Sequence, residues 1–226
     1  MPPNRRGEAS RTALLEAGRV AFSERRYDEM SIVDLARSLG VAAGSISYHF
    51  GGKRGFYLAV LEQAAADFWS GLVEMRGPAL ERLTRGVDQF LDLAHAQPRA
   101  FEALITDVAD AEVRAIHAQY RERLAHALAV EVTGSDSTPV LRAAMGGSLS
   151  YMEGVALHWI RAGEPAREHV HSLIMANFVA TVLSAARIDP DIDLSQRVTD
   201  AAMSDSWLLS LLATMGVSAP TTNTVE

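Results

Sequence analysis

A chain of 226 residues is long enough for one small domain and one larger one, with a buried core that needs neither disulfides nor metals. It contains no cysteine, which excludes a disulfide framework, a thiolate metal site and a catalytic thiol. The formal charge of -7 looks unsuited to a polyanionic partner until it is divided along the chain: residues 1–60 carry nine basic and six acidic side chains, residues 61–226 twelve and twenty-two. A basic front end can neutralise phosphates while an acidic remainder keeps the molecule in solution. The first residues show no apolar run after their charges, and no later stretch approaches the roughly 18 uncharged apolar residues of a membrane span. A soluble, cytoplasmic protein with no membrane partner is expected.

Apolar periodicity is helical nearly throughout and no run alternates strictly enough for a strand, so the fold class is all-α. The first helix is expected over about residues 10–25, with Leu14, Leu15, Gly18, Ala21 and Phe22 on one face. A second starts at Ser31, whose hydroxyl can cap it with Asp34 three residues on, and buries Ile32, Leu35, Ala36 and Leu39. Gly40 stands where a helix commonly ends in a left-handed residue, and Val41 is the apolar residue that follows it onto the core. A third, short helix begins at about Ala42. This order of helix, glycine turn and short helix is a helix-turn-helix, whose second member lies in the DNA major groove. Ile46 and Phe50, four apart and apolar, anchor that short helix. Ser45, Ser47, Tyr48 and His49 are thereby turned to other faces, where hydroxyls and an imidazole suit phosphate contacts. Lys53, the only lysine in the chain, is a point charge beside a helix N-terminus that already favours anions.

The stretch SIVDLARSLGVAAGSISYHFGGKRGFYLAVL, residues 31–61, closely resembles the DNA-binding domain of the tetracycline-repressor (TetR) family, most specifically in GSISYHFGGKRGFY. The resemblance implies that Ser45, Tyr48 and Lys53 grip the DNA backbone and that Ala43, Gly44 and Ser47 face the bases. Ser31 and His49 complete the expected contact set. Arg5 and Arg6 belong either to an arm in a minor groove or to a solvated tail. Two departures from the family pattern stand out. Ala42 replaces a capping Ser, a loss of about 1 kcal/mol at that helix end. Ser47 replaces a Tyr, leaving no long hydrogen-bonding side chain among the base-facing positions. Readout should therefore rest on close approach, thymine methyls and DNA shape.

Further helices are expected at about residues 53–75, 78–96, 98–108, 110–131, 138–162, 166–187 and 193–215. The organisation that follows is an N-terminal arm and helix-turn-helix over 1–52, a helical ligand-binding and dimerisation domain over 53–216, and a flexible tail over 217–226. The family places its dimer bundle in the segments 138–162 and 166–187, where Gly147, Ser150 and Gly154 admit a close neighbour and Leu173, Phe178 and Val182 offer apolar contacts, unless all of these pack within one chain. Phe68, Trp69, Phe90, Phe101, Tyr120, Tyr151, Met152 and Trp159 are either core or the wall of an apolar effector pocket, with His117 and Asn177 as polar groups. No cofactor and no enzymatic activity are expected. The one E-x-x-H, Glu168 to His171, lacks the second copy a di-iron bundle needs, and neither a nucleophile elbow nor a phosphate-binding loop is present. The sequence thus reads as a homodimeric regulator that binds a palindromic double-stranded DNA operator and leaves it when a small molecule binds. The alternative is a regulator of the same fold controlled by a protein partner or by its own abundance.

Overall fold

The computed structural model describes residues 5–25, 27–70, 79–106, 110–134 and 138–194. The described residues form nine α-helices and no strand, in the order α1 (Arg5–Glu24), α2 (Ile32–Ser38), α3 (Ala43–Phe50), α4 (Lys53–Ser70), α5 (Ala79–Ala96), α6 (Pro98–Thr106), α7 (Ala111–Thr133), α8 (Pro139–Ala162) and α9 (Arg167–Ile188). The all-α expectation is met, with an N-terminal helix-turn-helix ahead of the larger helical part. The helix expected over 193–215 and the tail over 217–226 lie outside the described residues. One start differs clearly. Helix α1 begins at Arg5, so Arg5 and Arg6 open the helix rather than forming an arm ahead of it. Glu8 in its first turn complements the positive helix end, and no proline follows to stop the chain from winding early.

Contacts divide the chain into two units, one of Met1–Ser70 with Phe90–Arg121, the other of Gly71–Gln89 with Glu122–Glu226. In the first unit, Leu14, Leu15, Ala21 and Phe22 of α1, Leu35 and Ala36 of α2, Ile46 of α3 and Phe56 and Val60 of α4 share one core. Helix α2 has only seven residues and depends on its ends. The Ser31 hydroxyl accepts the Asp34 N–H at 3.1 Å and the Asp34 carboxylate accepts the Ser31 backbone N–H at 3.4 Å, a capping box to which the hydroxyl adds a 2.6 Å bond to the same carboxylate. At the other end Gly40 has φ 66°. Its N–H donates to the Arg37 carbonyl at 3.2 Å, and the Val41 N–H donates to Ala36 at 3.0 Å. That pair is a Schellman closure, and it needs a residue free to adopt positive φ.

At the C-terminal end of α4 the same unit holds an aromatic cluster. Trp69 stacks on Phe90 with centroids 5.5 Å apart, while Phe101 meets Phe68 and Phe90 edge-on at 5.5 and 5.4 Å. In the second unit α8 and α9 pack along each other around Leu141, Met145, Val182 and Ala185. Thr138 caps α8 through a 3.2 Å bond from the Leu141 N–H, and Pro139 stands in its first turn. Arg167 donates to the Asp88 carboxylate at 2.9 Å and Arg82 pairs with Glu131. By length and composition α9 is apolar enough to cross a membrane, with mean hydropathy 1.4 and 28% of the window buried, which the sequence reading does not anticipate. Its run of Ala, Val, Met, Leu and Phe between Ile174 and Ala186, broken only by Asn177, Thr181 and Ser184, raises the mean without a long aliphatic block.

A Cβ on Gly55 would collide with the Phe50 carbonyl oxygen, where the end of α3 lies on the start of α4. Since that obstacle is backbone, Gly55→Ala should destabilise the first unit by about 1–3 kcal/mol. Urea unfolding followed by circular dichroism checks this, and an unchanged midpoint would show that the α3–α4 junction can shift freely.

Candidate nucleic-acid interface

Helix α3 is set by its two ends and its one apolar stripe. Ala42, at the N-cap, makes no side-chain bond to the helix, as its identity predicts. Gly51, left-handed at φ 73°, closes the other end through its N–H to the Ser47 carbonyl at 2.9 Å. Ile46 is fully buried and Phe50 packs beside it, as their spacing predicts. The opposite face is open: Gly44 and Ser47 are exposed and Tyr48 is 81% exposed. Tyr48 stands against His49 with ring centroids 5.0 Å apart. Ser45 and His49 are half-buried, and Ala43 leans partly on the core.

Two expected contact residues have additional work. The Ser31 hydroxyl is engaged in the capping box of α2, so its side chain presents a helix end rather than a free hydroxyl. Its hydrogen bonds, with Arg37 3.1 Å away in support, hold the Asp34 carboxyl below the usual carboxylate range. Lys53, at the start of α4, places Nζ 3.9 Å from the centroid of the Tyr27 ring. Tyr27 lies in a short 3-10 turn, Tyr27–Glu29, between α1 and α2. Arg11 of α1 is likewise brought over Phe50, at 5.2 Å. Neither contact has a sequence signal, because each joins residues brought together only by packing. The side chains of Arg5 and Arg6 lie outside the described residues.

Next to Lys53, Arg54 reaches the N-terminus of α7. It donates to Asp110 at 2.7 Å and to Glu112 at 2.9 Å. Asp110 in turn accepts the Glu112 and Val113 N–H groups at 3.0 and 3.2 Å, capping α7. The Arg54 hydrogen bond, helped by the Val113 N–H, holds the Asp110 carboxyl below its ordinary range.

The residues expected to take a ligand fall into separate groups. Trp69, Phe90 and Phe101 are buried in the aromatic cluster, with His117 6.2 Å from Trp69. Tyr120 is half-buried on α7. Met152 and Trp159 are buried on α8, and Asn177 of α9 is 3.0 Å from the Ser148 hydroxyl that donates to it. Tyr151 is exposed. None of these lines the open groove of about 280 Å³ between Val140 and Ala144 of α8 and Ala180, Thr181, Ser184 and Ile188 of α9. Of the residues expected at a dimer contact, Gly147, Ser150, Gly154 and Leu173 are exposed, Phe178 is half-buried, and Val182 sits in the core with 4% exposure.

Residues 14–60 match the family model described as bacterial regulatory proteins, tetR family. A stretch of 71 residues is 39% identical to the HTH-type transcriptional regulator BetI 2 of Chromohalobacter salexigens, covering 31% of this chain and 34% of that protein. Another of 74 residues is 36% identical to the HTH-type transcriptional repressor AcnR of Corynebacterium glutamicum, covering 30% and 39%. The chain thus spans between 34% and 39% of the length of these curated relatives. Over 92% of this chain and 98% of the other, the fold matches a TetR-family transcriptional regulator from Streptomyces coelicolor with TM-score 0.76 at 22% identity. The regulator FadR of Bacillus subtilis, solved in complex with stearoyl-CoA, matches with TM-score 0.56 at 13% identity over 76% of this chain and 97% of the other. Fold and site together define a helix-turn-helix protein with a larger helical part. Its N-terminal domain, over residues 14–60, is that of the tetR family of bacterial regulatory proteins.

Because the folded Asp110 carboxyl titrates below its unfolded value, its contribution to stability is complete above the ordinary carboxylate value of about 4 and is lost as pH falls through the lower folded one. Asp110→Asn keeps an α7 cap but removes the charge. It should cost roughly 0.5–1 kcal/mol at neutral pH and flatten the acid limb of a stability–pH curve measured by urea unfolding. An acid limb as steep as that of the parent would assign the pH dependence to other carboxylates.

Proposed function

We propose that the protein is a DNA-binding transcription regulator, a homodimeric repressor released from a palindromic operator by a small, mostly apolar effector. The observation that carries this reading is the outer face of α3. Gly44, Ser47 and Tyr48 stand clear of the core on a helix fixed by its buried Ile46, next to a lysine that pairs with no carboxylate among the described residues. Such a face suits close backbone approach with phosphate contacts at its margin. In this reading Ser31 presents the end of α2, Ser45, Tyr48, His49 and Lys53 hold the backbone, and Ala43, Gly44 and Ser47 approach the bases, with Arg5 and Arg6 adding charge from the start of α1. Residues 1–52 form the reading head, 53–216 the sensing and dimerising part, and the protein works in the cytoplasm.

The dimer is supported by the outer side of α8 and α9. Space above Gly146, Gly147 and Gly154 is open, Leu173 and Ile188 are exposed, and the apolar window of α9 is only 28% buried within one chain. A second copy would cover that side and bring two recognition helices to successive grooves about 34–36 Å apart. Ser150→Arg, on the exposed face of α8, should shift sedimentation from dimer to monomer with helicity unchanged. A parent protein that sediments as a monomer at micromolar concentration would remove the dimer from the reading.

Effector control is supported by the buried aromatic residues of the helical part, and a protein of this fold holds an acyl thioester. The mutual packing of Phe68, Trp69, Phe90 and Phe101 favours the second reading, control by a protein partner or by abundance. Release of DNA by a small molecule decides between them, since an effector acts only by binding the non-binding state more tightly.

The test is selection of bound fragments from the source genome at near-physiological salt. Recovery of a short palindrome bound by one dimer is expected. No enrichment over random fragments from folded protein would remove the regulator reading. Lys53→Ala should weaken binding to all sequences alike and reduce the slope of log affinity against log salt by about one. An unchanged slope with altered base preference would take Lys53 out of the phosphate contact.

A further inference from the structure

The chain's single lysine is held by an aromatic platform. Nζ of Lys53 is 3.9 Å from the Tyr27 centroid, within the range where an ammonium is drawn to the electron-rich face of a ring. Tyr27 is itself fixed. Its ring lies 4.7 Å from Tyr57 at 35°, and Tyr57 meets Phe22 edge-on at 5.1 Å, so three aromatic residues from three segments run from the core out to the ammonium. Two carboxylates, Asp28 and Glu29, follow Tyr27 directly in sequence. Even so, no carboxylate among the described residues lies within ion-pair distance of Lys53. Its neighbour Arg54 is held by both Asp110 and Glu112.

A ring face and a carboxylate restrain an ammonium with opposite consequences. A carboxylate neutralises it and must be displaced before a phosphate can bind. A ring leaves the net charge intact and occupies one side, so that N–H donors remain for an anion on the other. The ring also removes part of the rotamer freedom that a flexible four-carbon stem would otherwise lose on binding.

We infer that Tyr27 is a positioning residue for DNA, holding the Lys53 ammonium aimed for a backbone phosphate. This rests on the DNA-binding reading above. The role is sequence-independent, and it places a specific requirement at position 27: an aromatic face, with no need for the hydroxyl.

The experiment exploits the uniqueness of Lys53. Lysine labelled with carbon-13 at the ε position gives one side-chain resonance in the full-length protein, and its protons report the ring without DNA. The parent and Tyr27→Phe should show the ε protons shifted upfield by the ring, and Tyr27→Leu should lose the shift. On one fixed duplex, Tyr27→Phe should bind as the parent does. Tyr27→Leu should bind about threefold to tenfold more weakly, with a shallower salt dependence. In a Lys53→Ala background Tyr27→Leu should have little further effect.

An equal loss from Tyr27→Leu with and without Lys53 would make Tyr27 merely structural and overturn the inference. So would tighter binding by Tyr27→Leu, which would mean that ring and phosphate compete. Duplex binding without any upfield shift in the parent would overturn the Tyr27 role alone. An upfield shift without duplex binding would overturn the DNA reading and the phosphate role that depends on it.

Discussion

Phe56 is fully buried where α1, α3 and α4 meet, 4.8 Å from Phe50 and 5.9 Å from Phe22 between ring centroids. Its position is possible only because two neighbours have no side chain. A methyl on Gly18 would strike Phe56 and Val60, and one on Gly55 would strike the Phe50 carbonyl. The face of α3 that stands out to solvent is therefore determined from behind. Phe56 and Ile46 fill the interior, α3 has one way to lie on them, and Gly44, Ser47 and Tyr48 take the side that is left. With no cap bond at Ala42 and only eight residues, α3 owes its orientation to this packing rather than to its own helical stability.

The two cations that open α4 are adjacent in sequence and lie in opposite electrostatic surroundings. Arg54 is held by two carboxylates 56 and 58 residues away and ties the start of α4 to the start of α7. Lys53 is held by a ring that cancels none of its charge. The division suits the two side chains. A guanidinium is a planar fork that can serve two carboxylates at once, whereas an ammonium is a point charge that a phosphate can share with a ring.

Much of this was legible in the sequence because it is local. Ser31 with Asp34, Gly40 with Val41 and Ile46 with Phe50 are signals within four residues of one another, and each appears where its spacing puts it. The helices from α5 to α9 begin and end within a few residues of the ranges expected from 78–96 to 166–187. What could not be read is what depends on distant partners. Tyr27 under Lys53, Arg54 against Asp110, and the requirement at Gly55 for a bare Cα all arise from tertiary approach. The same limit applies to Val182. Apolar periodicity marks it as covered, and only the fold shows that Leu141 and Met145 of the same chain share its core.

Helix α4 carries Phe56 and Val60 into the core of the helix-turn-helix at one end and Phe68 and Trp69 into the aromatic cluster at the other. These two sets of side chains are locked in rotation by an unbroken helix, in which each residue turns the chain by about 100°. Recombination that joined the front of this gene to the back of another would have to cross α4 in frame with the helix as well as with the codons. One inserted residue between Val60 and Phe68 would swing the distal aromatic residues roughly a quarter-turn away from Phe90 and Phe101, whereas seven would nearly restore their angle, with a displacement of about 10 Å along the axis. Gene exchange in such a molecule is therefore constrained by helical phase, and lineages that gain or lose residues in this rod should do so by whole turns.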